Sequence, residues 1–202
     1  MSTIPVNLAT EDRLSEAVLR KLLLHSDRGY AIGTAYGHSG FGYLRKTIVG
    51  WNRGARGIPF VVLTDLDLAD CPLALTREWL SGPKHPNLLF RVAVREVESW
   101  LLSDPEHLAA YLGVRRSLIP DGPDQLQDPK YALVELAKRS RFAGIRSRIV
   151  PRRMSTAKEG PDYNGCLIEF VDALWDVDQA THNSPSLRRT VDRLAAFTPT
   201  WT

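Results

Sequence analysis

The sequence predicts an α/β protein: a parallel sheet of about four strands flanked by helices, with a mostly helical C-terminal half. Three observations predict it. Residues 58–67 read Ile-Pro-Phe-Val-Val-Leu-Thr-Asp-Leu-Asp. The run is apolar at successive positions rather than at every second one, which suits a strand buried on both faces of a parallel sheet. Similar short runs at 4–9, 30–35 and 87–94 alternate with helical segments in the order β-α-β-α-β-α-β, and right-handed crossovers join parallel strands in that pattern. Beyond Arg95, apolar residues recur at helical spacing.

The elements follow in order. Residues 4–9 form a first strand, with Pro5 accommodated at its start. Thr10 is an expected N-cap, and Glu11 and Asp12 fall in the first turn of a helix whose stripe is Leu14, Ala17, Val18 and Leu22. The glycine-rich stretch 37–42 reads as a flexible connection. It lacks the Gly-Lys-Ser/Thr ending of a phosphate loop, and Ser39 fits a nucleophile elbow only loosely. A helix over 43–52 turns Leu44, Ile48 and Trp51 inward, and another over 71–80 stops at Ser81-Gly82-Pro83. After the strand at 87–94 the chain is expected to turn helical beyond Arg95, with Val97, Trp100 and Leu101 on one face, and helices are expected over 105–112, 130–140, 167–175 and 185–197. Trp51, Trp79, Trp100 and Trp175 sit among leucines as core residues, and Trp201 reads as a tail. Residues 1–104 make the α/β core and 105–202 a helical extension packed on it as one structural unit.

Composition excludes several classes. The 202 residues carry a net charge of +3 and 44% hydrophobic residues, ordinary for a globular chain. No apolar run reaches the roughly 18 residues that a membrane helix needs. No basic-then-apolar signal pattern opens the chain, so a cytoplasmic location is expected. The five histidines show no zinc-ligand spacing, and Cys71 and Cys166 read as isolated thiols.

Two acidic constellations carry the chemistry. Glu11 follows the first strand, and Asp65 and Asp67 follow the third. In a parallel sheet both points lie at the carboxyl edge, where ligands of open α/β sheets bind. Carboxylates gathered there need neutralising, and a hard cation such as Mg²⁺ does so. The plainer reading makes them helix-start acids or solvated loop residues. Glu96 and Glu98, at the end of the fourth strand, reach the same edge. A two-metal site needs more than three carboxylates. Helical phase does not decide between these glutamates; Glu98 is preferred, with Glu96 behind it.

The third constellation is basic. From Lys138 to Lys158 there are eight lysines and arginines and no acid. Lys130 is the candidate for facing a scissile phosphate. Arg141, Arg146, Arg148, Arg152 and Arg153 are candidates for tracking a nucleic-acid backbone. The alternative is a solvated face: Arg146 and Arg148, two apart, also suit the outer face of a strand over 145–150.

An acid after the first strand and an apolar strand ending in Asp-x-Asp resemble the Toprim fold of primases, topoisomerases and nucleases of the overcoming-lysogenization-defect type. The strings Glu11-Asp12-Arg13-Leu14-Ser15-Glu16, Leu63-Thr64-Asp65-Leu66-Asp67 and, most diagnostically, Arg91-Val92-Ala93-Val94-Arg95-Glu96-Val97-Glu98-Ser99-Trp100-Leu101-Leu102 resemble a family of small Toprim-like proteins from bacterial defence-type loci. Asp128-Pro129-Lys130 and Gly160-Pro161-Asp162-Tyr163-Asn164 extend the resemblance over most of the chain. Many Toprim proteins carry glycine where Asp12 stands, so Asp12 either joins the site or caps the helix.

The resemblance implies a metal-dependent nuclease. Mg²⁺ or Mn²⁺ would be held by Glu11, Asp65, Asp67 and Glu98 or Glu96, and the role would be antiphage or toxin-like. With no Walker motif on this chain, an ATPase partner would be a separate protein. The competing expectation is a non-catalytic nucleic-acid or partner-binding module that keeps the fold. Nucleotidyl or phosphoryl transfer is a third.

Overall fold

The structure, a computed structural model, describes residues 3–201. Four parallel strands form one sheet: β1 (Ile4–Thr10), β2 (Tyr30–Gly37), β3 (Phe60–Asp65) and β4 (Leu88–Ala93), in the order β2-β1-β3-β4. The chain steps from β1 outward to β2, then returns to lay β3 on the other side of β1. Strand order therefore reverses between β1 and β3, and the carboxyl ends of those two strands flank the crevice where open α/β sheets bind ligands.

Helices α1 (Arg13–His25), α2 (Gly40–Gly54) and α3 (Pro72–Trp79) are the crossovers. α1 starts later than the sequence suggests. Thr10 ends β1, and the cap is Asp12, whose Oδ1 accepts the Ser15 amide at 2.8 Å. The glycine-rich connection also shrinks, because Gly37 closes β2 and Gly40 opens α2. Gly37 has φ +129°, and a Cβ there would stand 1.9 Å from the Thr10 carbonyl oxygen, so only glycine lets β2 lie so close to β1.

The two faces of the sheet have different covers. On one, α2 and α3 bring Leu44, Ile48, Trp51, Leu75 and Trp79 against Phe60, Val62, Phe90 and Val92. On the other, Val6, Leu8, Val61, Leu63 and Leu89 pack with α1 and with the helical half. That half comprises α4 (Val97–Leu102), α5 (Pro105–Leu112), α6 (Pro129–Lys138), α7 (Ala143–Ile149), α8 (Tyr163–Ala173), α9 (Val177–Asn183) and α10 (Pro185–Ala195). One apolar cluster runs from Ile4 to Phe197, so the helices share the sheet's core. Trp100 and Trp175 lie wholly inside it. Their indole N–H groups donate to Ser186 Oγ at 2.7 Å and to the Trp100 carbonyl at 3.2 Å, satisfying their polar tips.

Residues 145–149 are helical rather than extended, and Val150 ends the helix in extended backbone. Ile145 and Ile149, four apart, both pack on the core, and the arginines between them turn outward. α9 is a further short helix that the sequence pattern did not announce. No described helix is long and apolar enough to cross a membrane.

Candidate active site

The carboxyl edge of the sheet gathers the acids. Glu11 directly follows β1 and reaches sideways to the end of β3, where its Oε1 accepts the Thr64 hydroxyl and the Asp65 amide, the latter at 2.9 Å. Asp65 ends β3, and its Oδ1 accepts the Val97 amide at 2.9 Å, fixing the carboxylate against the start of α4. Asp67 follows in the left-handed region at φ 49°, which aspartate tolerates better than most residues. Arg95 holds it there: the Arg95 carbonyl accepts the Asp67 amide at 2.9 Å, and the guanidinium donates to the Asp67 carbonyl at 2.9 Å.

The two glutamates after β4 divide. Glu96 precedes α4, and its Oε2 accepts the Lys130 amide at 2.9 Å, at the first turn of α6. Glu98 points inward and is only 2% exposed. Its Oε1 accepts the Tyr163 hydroxyl at 3.1 Å, and the Lys130 ammonium lies 3.6 Å away. Lys130 also stands 3.4 Å from Glu159 and 5.5 Å from the centre of the Tyr163 ring. The lysine chosen from the sequence to face a phosphate is therefore held among carboxylates, and the glutamate preferred as a ligand lies deeper than Glu96.

The electrostatics record an excess of negative charge. Burial pushes the Asp65 carboxyl well above its ordinary value, and Glu98, Glu11, Asp12 and Asp67 add to the rise. Burial also raises Glu11; its bonds from Thr64 and the Asp65 amide oppose the rise, while Asp67 and Asp12 increase it. Glu98 is pushed up to about 7 by burial, against the pull of Lys130. Asp67 and Glu96 are raised too, again mainly by burial. For Lys130, burial favours the neutral amine, but Glu98, Glu159 and Glu96 overcome it and hold the ammonium above its usual value. One cation thus serves a group of carboxylates too large for it.

Hard oxygen donors with unneutralised charge are the chemistry that suits Mg²⁺ or Mn²⁺. Among the described residues, however, no three acidic, histidine or cysteine side chains form a ready-made metal cage. Glu11 and Asp65 each commit an oxygen to backbone amides, and Glu98 has Lys130 as its cation. Glu11, Asp65 and Asp67 have the donor chemistry for a divalent ion, which they would complete with water and substrate oxygens.

The basic candidates scatter. Arg148 is spoken for, donating to Asp162 and bidentately to Glu169, each at 2.7 Å. Arg146 donates to the Ser140 carbonyl. The Arg141 guanidinium lies over the Phe142 ring at 4.9 Å. Arg152 and Arg153 are exposed in the loop after α7. A cleft of about 470 Å³ runs from Glu96 and Lys130 past Asp128 and Lys138 to Pro151 and Lys158; Glu11, Asp65, Asp67 and the candidate arginines are not among its lining residues.

Sequence reasoning missed the groups that position the acids: Thr64 on Glu11, Arg95 on Asp67, Tyr163 and Glu159 around Glu98 and Lys130. Tyr163 lay in plain view in Gly160-Pro161-Asp162-Tyr163-Asn164, a string singled out without a role. Arg95 stood next to Glu96 in the diagnostic run. No protein-family model, curated protein or solved structure matches this chain.

Proposed function

We propose that this chain is a divalent-metal-dependent nuclease that hydrolyses phosphodiester bonds. The observation that carries the reading is the meeting of Glu11 and Asp65 across the β1–β3 crevice, beside Asp67, with more carboxylate than Lys130 neutralises. A bound Mg²⁺ or Mn²⁺ would supply an activated water and neutralise charge on the leaving oxygen. The chain's own residues do the rest. Glu11, Asp65 and Asp67 present hard oxygens. Thr64 and the amides of Asp65 and Val97 aim two of those carboxylates. Lys130, 3.6 Å from Glu98, partly offsets the burial that raises that carboxyl. Lys158, along the cleft from Glu96, offers positive charge to a polyanionic backbone, while Lys138 is paired with Glu135.

The resemblance to the Toprim-like family supports the same reading. It extends it to a cytoplasmic antiphage or toxin-like role, triggered through an ATPase on a separate chain. A second reading, a nucleic-acid-binding module without catalysis, is favoured by one observation: the acids form no preassembled cage. Cleavage assays on plasmid, single-stranded DNA and total RNA, with Mg²⁺, Mn²⁺ or chelator, separate the two. Metal-dependent cleavage lost in Asp65→Asn supports the nuclease. Binding without cleavage under every condition supports the module.

A further inference from the structure

A second feature lies away from the acids, along the outer edge of the sheet. β4 pairs with β3 alone; on its other edge Lys84 occupies the Leu88 carbonyl at 2.8 Å, and the main-chain groups of Phe90 and Val92, residues 7% and 8% exposed, have no partner among the described residues. The Phe60 amide donates to Asn87 and the Leu66 amide to Ala93, which fixes the alternation. The main-chain groups of Leu89 and Arg91 face β3, and those of Phe90 and Val92 face outward. A groove of about 430 Å³ opens on that edge, with the start of α3 as one wall, α10 as the other and residues 90–92 as its floor. Leu73 lines the α3 wall and is 69% exposed.

The groove is cationic. Arg91 projects from its floor, and its guanidinium donates only long bonds, of 3.4 Å each, to the Thr190 hydroxyl and the Arg189 carbonyl. Burial lowers Arg91 to about 10, and the neighbouring charges of Arg193 and Arg189 press the same way. Lys84 lies nearby, just before β4, its ammonium donating to the Leu88 carbonyl at 2.8 Å, and burial with the charges of Arg193 and Arg91 lowers it. Among the described residues no carboxylate forms an ion pair with Arg91, Arg189 or Arg193. β2, the other edge strand, exposes Ala31, Gly33, Thr34 and Ala35, none of them charged.

The geometry points to this groove as the docking site for an acidic, extended peptide segment of a partner protein, added to β4 as a fifth strand. The unpaired groups of Phe90 and Val92 supply main-chain hydrogen bonds, Leu73 and Phe90 supply apolar contact, and Arg91 and Arg189 select carboxylate side chains. A nucleic acid would use the cations but not the outward N–H and C=O of Phe90 and Val92, so the edge favours the peptide.

The test selects a displayed library of short random peptides on the immobilised full-length protein. Enriched sequences should be rich in Asp and Glu and poor in proline. A synthetic peptide of the enriched sequence should slow hydrogen exchange at the Phe90 and Val92 amides. Arg189→Glu, on the exposed side of α10, should weaken that peptide by more than about tenfold and leave metal-dependent cleavage unchanged. Arg91→Gln should do likewise. It is the less safe variant because Arg91 is half-buried, and circular dichroism shows whether it folds. Failure to enrich acidic sequences, or unchanged exchange at those two amides, overturns the proposal. So does displacement of the peptide by a single-stranded oligonucleotide that itself depends on Arg189, which would make the groove a nucleic-acid track.

Discussion

The acidic edge and the arginine stretch carry opposite charge, and the fold treats them differently. Glu11 and Asp65 are seated by strand ends, aimed by backbone amides and left with charge that their surroundings do not cancel. Arg148 is cancelled by Asp162 and Glu169, and Arg146 and Arg141 are engaged with local partners. Charge that a fold leaves uncancelled where it is costly marks a candidate functional site. By that measure the acids are the stronger site, and among the described residues Arg152, Arg153 and Lys158 remain available on the basic side.

The largest expected effect tests the acidic side of the contrast. Asp65→Asn keeps an oxygen to accept the Val97 amide but removes one charge from the group. Metal-dependent cleavage should fall by about a thousandfold or more, as expected when a group acts on the reacting centre. The apo protein should melt higher, because mutual repulsion is relieved. An Asp65→Asn protein that cleaves normally at matched metal concentration would remove the site.

The pH dependence of stability should be next in size. The folded-state pKa of Glu98 is raised, to about 7 from 4.5, and that of Asp65 is raised as well. The folded protein therefore holds more protons than the unfolded chain between those values, and stability must fall as pH rises through the window. For Glu98 the loss is on the order of 3 kcal/mol. Urea unfolding of the apo protein should show stability greatest near pH 4.5 and declining toward pH 7. Saturating Mg²⁺ should flatten the decline, since an ion that binds only the folded, ionised site restores stability. A curve that rises across this window would mean that the acids are not held as the structure places them.

Lys130 gives a smaller change. Lys130→Met leaves Glu98 buried with only Tyr163 to bond it. The cost should be roughly 1–3 kcal/mol, reduced from that of a fully buried pair because Lys130 is partly exposed. Glu98→Gln in the same protein should recover most of the loss, which a double-mutant cycle measures directly. Independent, additive effects would mean that the pair contributes nothing.

How much of this could be read in the sequence depends on which physics set each feature. The four strands and the acids at their ends were legible because period and apolar runs are local, and the β-α-β order puts successive strand ends on one edge. The cap at Asp12 rather than Thr10 was not, because β1 runs one residue further to pair with Gly37. The strand alternative for 145–150 arose because arginines two apart mimic a strand's outer face, and only the packing of half-buried Ile145 and buried Ile149 on the core shows the helix. The partners of Lys130 were invisible, since Glu98, Glu159 and Tyr163 meet it through tertiary packing.

The smallest effect separates arginines that bind substrate from arginines that hold the fold. Arg148 is half-buried between two exposed carboxylates, so Arg148→Ala should cost at most about 1 kcal/mol of stability. It should leave the salt dependence of nucleic-acid binding unchanged, because its charge is already matched. Among the described residues Arg152 and Arg153 have no ion-pair partner, and they directly follow Pro151 at the end of the cleft. If each meets one phosphate, replacing each by alanine should lower the slope of log affinity against log salt by about 0.9 on duplex DNA, or about 0.7 on a single strand. Because a phosphate contact carries no sequence information, the loss should be uniform across sequences. Anisotropy titrations over a salt series for all three variants measure the slopes side by side. A slope change in Arg148→Ala equal to that in Arg152→Ala would show that the ion pairs with Asp162 and Glu169 open on binding. The contrast between uncancelled and cancelled charge would then fail on its basic side while the acidic edge stood unaffected.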